Sequence, residues 1–201
     1  MTETVQSARD ELAFVKAVME DKGPLPRWFG AHLFAVGLLF GLNLLVVGAW
    51  SQPDLARASS ILCWAPATAI YLPVWFLIHR RSDYAAMGPT ARVFGAAWLA
   101  VLLMTLVIVA CLVTAQLNSG VAYGLIWPAI ACTFYGGAWL VIALIRRRAW
   151  MGLVAAGCFA TAVACAALIG RTGMLLALGA GLLLFFAVPG FALMRALRRQ
   201  A

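Results

Sequence analysis

Few residues in this 201-residue chain could do chemistry, and their spacing narrows what that chemistry could be. Two histidines, His32 and His79, could pair at one membrane face as ligands to a metal or a haem iron. No carboxylate accompanies them in the apolar stretches, so the expectation is two interfacial side chains bonded to backbone or headgroup, and no metal. The five cysteines, Cys63, Cys111, Cys132, Cys158 and Cys165, contain no CxxC. A disulfide or a soft metal would need them brought together by folding; a buried cysteine otherwise behaves as a small hydrophobe.

The third set is neutral. Thr68, Tyr71 and Trp75 lie along one apolar stretch, and Thr133, Tyr135 and Trp139 along another. Counted inward from the cytoplasmic ends, Thr68 and Thr133 fall at a similar depth, as do Thr105 and Thr161, with Asn43 farther out. The same stretches hold Pro66, Pro73, Pro128 and Gly136-Gly137, and a later one Pro189-Gly190; these open the backbone ladder where protein or a cavity can satisfy the freed groups. The six side chains Thr68, Tyr71, Trp75, Thr133, Tyr135 and Trp139 are therefore candidate ligand-binding residues for a neutral molecule held between the second and fourth helices. The competing expectation is that each threonine bonds the carbonyl four residues before it and the prolines only bend helices.

The chemistry that is missing is as informative. No Asp, Glu, Lys or Arg falls at membrane depth, which argues against a proton-driven pump or a charge-lined pore. General acid–base catalysis needs a titratable group in place, so no catalytic residue, cofactor or enzymatic activity is expected.

The elements that must position these residues follow from composition. Hydrophobic residues make up 65% of the chain and charged ones 11%, too few to cover a water-facing surface. A helix needs about 20 apolar residues to cross the hydrocarbon core. Six stretches qualify: 28–50, 61–78, 93–116, 125–145, 149–170 and 174–194. The fold class is thus an all-α integral membrane protein of six transmembrane helices in antiparallel hairpins.

The charge distribution orients it. Thirteen of the fifteen basic residues fall in the amino-terminal tail, the loop after the second stretch, the Arg146-Arg147-Arg148 turn and the carboxyl terminus. Only Arg57 and Arg171 fall on the other side. By the positive-inside rule both termini are cytoplasmic, which suits a bacterial inner membrane. The net charge of +8 is a topology signal, and no nucleic-acid partner is expected.

Three regions result: a cytoplasmic tail and linker over 1–27, the bundle over 28–194, and a basic tail over 195–201. The first tail reads as an amphipathic helix over 7–22. Ser7 and Asp10 resemble a capping box, Gly23-Pro24 supplies the stop, and Leu12, Phe14, Val15, Val18 and Met19 share one face. It does not read as a cleaved signal peptide and is expected to remain. Residues 29–31 and 35–36 recur at 94–96 and 100–101, and Tyr71 and Trp75 recur at Tyr135 and Trp139. Two readings stand: a repeated hairpin unit, or chance matching of Ala- and Leu-rich segments.

Small residues let membrane helices pack closely. Gly30, Gly37, Gly41 and Gly48 form such a ridge in the first helix, and Gly152, Ala156, Ala160 and Ala164 another in the fifth. These two helices are expected to be the most buried. Two functions fit: binding a neutral or apolar small molecule within the bundle for transport or sensing, or service as an accessory subunit whose tail docks a protein partner. Besides lipid, the expected partners are that ligand, and a protein or a second copy of the chain.

Overall fold

The computed structural model describes residues 27–50, 60–80, 89–119 and 123–198, together with Leu12, Ala13 and Lys16. Helix α1 spans Arg27–Trp50, α2 Ser60–Arg80 and α3 Pro89–Ser119. A 3-10 turn at Tyr123–Ile126 leads into α4, Trp127–Arg146, and α5 is Ala149–Ala167. Helix α6, Thr172–Leu182, a π-helical turn at Leu183–Ala187 and α7, Val188–Arg198, run on without a break. No strand occurs among the described residues. In lipid, every backbone N–H and C=O must be satisfied within its own segment, and unbroken apolar helices do that.

Five segments are long and apolar enough to cross a membrane: Trp28–Trp50, Val93–Ser119, Trp127–Arg146, Ala149–Ala167 and Thr172–Ala196. Helix α2 is a sixth helix, 21 residues long, with Pro66 and Pro73 inside it. The amphipathic helix expected over 7–22 lies outside the described residues, except that Leu12, Ala13 and Lys16 are helical.

Two tight turns and one defect shape the bundle. Arg147 ends α4 in the left-handed conformation, φ 49° and ψ 41°, and its N–H donates to the Ala143 carbonyl. Gly170, at φ +77°, does the same service after α5, where a side chain would be strained. The π turn precedes Pro189. Proline has no N–H to give the carbonyl four residues back, and its ring crowds that turn; the ladder widens instead, with Val188 N–H donating to Leu183 O.

The core is built by α1, α4, α5 and the sixth span. The ridge of α1 packs on that span in reverse order: Gly30 on Gly190, Gly37 on Ala187, Gly41 on Gly179 and Leu183, Gly48 on Leu175 and Leu176. The burial ranking expected from small residues is corrected. The span Thr172–Ala196 has the largest buried share, 50%, followed by α4 at 44%, ahead of α5 and α1. On α5 the Gly152–Ala164 ridge turns outward: Ala156 and Ala160 are exposed, and a Cβ on Gly152 would meet nothing. Its opposite face, with Ala155, Cys158, Ala162 and Cys165, is equally narrow and is the one that packs inward. Helix α3 stands apart, with only 6% of its apolar window buried.

Candidate functional site

Aromatic side chains bind α1, α3 and α4 together at one end of the bundle. Phe29 meets Phe94 edge to face at 4.1 Å between centroids, and both pack on Trp139, at 6.1 and 6.4 Å. Trp98 lies 6.3 Å from Trp139 and 5.4 Å from Tyr135. Tyr135 in turn meets Phe186 of the π turn at 5.1 Å and 88°. Such edge-on geometry matches the positive ring edge to the negative face.

Helix α2 joins the bundle through α1. Asn43 Nδ2 donates to the Cys63 carbonyl at 2.7 Å, which satisfies one polar pair in apolar surroundings. Phe40 lies 6.0 Å from Trp64 and 5.9 Å from Tyr71. The Tyr71 hydroxyl lies 3.4 Å from His32 Nδ1, a long hydrogen bond. A neutral imidazole protonated on Nε2 accepts there and keeps a second N–H to offer elsewhere.

Among the described residues α2 packs substantially on α1 alone, and α3 on α4 and the 3-10 turn. Through Phe94 and Trp98, α3 also reaches Phe29 of α1. Two contact groups, His32 and Phe40 with Tyr71 and Trp98 with Tyr135, make up one set of half-buried residues. Tyr71 and Tyr135 are close enough to interact electrostatically. No charged side chain belongs to this set. It presents aromatic faces, a tyrosine–histidine pair and a second phenol, which suits an apolar body carrying a hydrogen-bonding group.

The six residues singled out in the sequence take different places. Tyr71 and Tyr135 fall in this set, and Thr68 is half-buried on α2. Trp75 is 42% exposed and stacks on His79, 5.2 Å away and 18° from parallel. Thr133 is exposed and its hydroxyl donates to Ala129 O at 2.9 Å, the local bond available to any helical threonine. Trp139 is fully buried, and its indole N–H has no hydrogen-bond partner. The six therefore do not share one lining, because α2 and α4 do not pack side by side.

Of the two histidines, His32 bonds Tyr71 and His79 lies exposed against Trp75. Sequence reasoning missed His32, Phe40 and Trp98 as neighbours of the tyrosines. One signal was available: His32, Val36 and Phe40 are four apart and so form a single stripe of α1.

No protein-family model matches the chain, and no curated protein or solved structure matches it either.

Proposed function

We propose that the chain is a multi-pass protein of the bacterial inner membrane that binds a neutral or apolar small molecule within its helix bundle, for transport or sensing, without catalysis or cofactor. In this reading α2 is a sixth span, the helices form antiparallel hairpins, and both termini are cytoplasmic. The ligand sits between α2 and α3, against His32, Phe40, Tyr71, Trp98 and Tyr135. The observation that carries this reading is the His32–Tyr71 contact, two half-buried polar groups in apolar surroundings with no charge between them.

Polar groups are costly in hydrocarbon unless paired, so their retention here favours a use. The His32 ring offers an N–H, and Tyr135 can donate or accept. A molecule with a carbonyl, ester or ether group on an apolar frame satisfies both while its body stacks on Phe40 and Trp98. Entry from the lipid phase, between helices that do not pack on each other, needs no aqueous pore. The test is a thermal-shift screen of neutral metabolites and lipids on the detergent-purified protein, followed by the tyrosine variants. Ligand-induced stabilisation that persists in both Tyr71→Phe and Tyr135→Phe overturns this placement.

A second reading is supported by the tail. Leu12 is 70% exposed, an apolar side chain left open on a helical segment, as a docking helix would present it. In that reading the protein is an accessory subunit, and Val15→Asp abolishes capture of a partner without changing the stability of the purified chain. Loss of stability with capture intact would mean that the tail serves its own bundle.

A further inference from the structure

The α4–α5 pair holds a second cluster, separate from the aromatic set. Moving away from the Arg147 turn, its contacts climb in order. Arg148 N–H donates to Ala143 O at 3.3 Å, and Trp139 packs on Trp150 at 5.9 Å. Next, Gly136 lies under the ring of Phe159, 2.7 Å from where a Cβ would stand. One turn farther along the same register, Cys132 of α4 stands opposite the Cys165 level of α5. Both are buried free cysteines, 6% and 1% exposed. Cys158, seven residues before Cys165 and on the same face of α5, is buried as well.

We propose that Cys132 and Cys165 are an oxidisable pair that closes to a disulfide and staples α4 to α5. A disulfide needs its Cα atoms about 4.4–6.8 Å apart, a separation that facing helices reach only where small residues line the contact. The buried faces of α4 and α5 that meet here carry such small residues: Ala131, Gly136 and Ala138 on α4, with Ala155 and Ala162 on α5. In the reaction each thiol loses its proton and one sulfur–sulfur bond forms. The two electrons and two protons pass to a lipid-soluble quinone, which leaves as the quinol.

The choice of oxidant follows from burial. Dithiol and disulfide are both neutral, so apolar surroundings penalise neither end state. A charged peptide disulfide such as oxidised glutathione is excluded from apolar surroundings, whereas a neutral quinone ring partitions into them. The attacking thiolate is disfavoured in such surroundings, so closure is slow and the pair persists as thiols until an oxidant reaches it.

The test treats the purified full-length protein in detergent with tetramethyl-1,4-benzoquinone, whose ring has no free position for thiol addition. The protein is then denatured and alkylated with N-ethylmaleimide. The expected result is alkylation of three of the five cysteines, with peptide mapping that joins Cys132 to Cys165. The unfolding temperature should rise by roughly 5 °C, and dithiothreitol should reverse both changes. Cys132→Ser and Cys165→Ser should each abolish the cross-link, and Cys158→Ser should keep it. Five alkylated cysteines after oxidation of the wild type, or a cross-link that maps to Cys158, overturns the proposal.

Discussion

Gly41 of α1 and Gly179 of α6 face each other where the first and last spans touch. A Cβ on Gly41 would stand 3.0 Å from the Gly179 carbonyl oxygen, and one on Gly179 would stand 2.9 Å from the Gly41 oxygen. Each glycine therefore makes room for the other's backbone. Lipid supplies no hydrophobic drive for helix association, so this close approach is itself the source of packing energy.

Gly41→Leu and Gly179→Leu should each destabilise the purified protein by about 1–3 kcal/mol, the usual cost of overfilling a packed contact. Ala160→Leu, on the outward ridge of α5, should stay within about 0.5 kcal/mol of wild type. Thermal or denaturant unfolding in detergent measures all three. Equal loss at Ala160 and Gly41 would mean that the α5 ridge is buried in an assembly of several chains.

Trp139 offers a test of how the core is held. Its indole N–H has no hydrogen-bond partner, and its ring edges meet Phe29, Phe94 and Trp98. Trp139→Ala should cost about 3–5 kcal/mol through lost packing. Trp139→Phe keeps an aromatic body and breaks no hydrogen bond, so it should cost clearly less. Similar losses for both variants would reveal that the N–H matters.

The candidate ligand residues separate by substitution. Thr133→Val removes a hydroxyl that bonds only its own helix and faces outward, so neither stability nor ligand response should change. Tyr135→Phe removes a hydroxyl from the half-buried set. It should leave the ligand-free unfolding temperature nearly unchanged and abolish stabilisation by any ligand found for the wild type. Tyr71→Phe also breaks the long contact to His32, worth about 0.6 kcal/mol if it resembles the average interhelical bond in membranes. A ligand response lost in Thr133→Val and kept in Tyr135→Phe would move the site to the outer face of α4.

Orientation is checked with single-cysteine reporters in a cysteine-free background. Cysteines at Asn118 and Arg171 should react with an impermeant maleimide in intact cells, and cysteines at Ser82 and Gln200 only after lysis. Labelling of Gln200 in intact cells would invert the topology.

Much of the architecture was determined by the sequence itself. Long apolar runs with charges only at their ends can satisfy their backbone in lipid solely as helices, and five described segments meet that requirement in length and composition. The Arg146–Arg148 turn was legible between two apolar runs, and the α1 glycines as a packed ridge, because only small residues allow backbones so close. Which face of each helix turns inward was decided by the tertiary structure. In a water-soluble helix a polar face marks the outside, but lipid and core are equally apolar, so hydropathy carries no such mark here. That is why the Gly152–Ala164 ridge of α5 was expected to pack inward, whereas the buried face carries Ala155, Cys158 and Ala162. Thr133, two residues before Tyr135, faces outward for the same reason, and Tyr71 meets His32 of α1 before any residue of α4. Residue types pointed to neutral chemistry; the pairing of α2 with α1 through Asn43, Phe40 and His32 decided which of those side chains lie together.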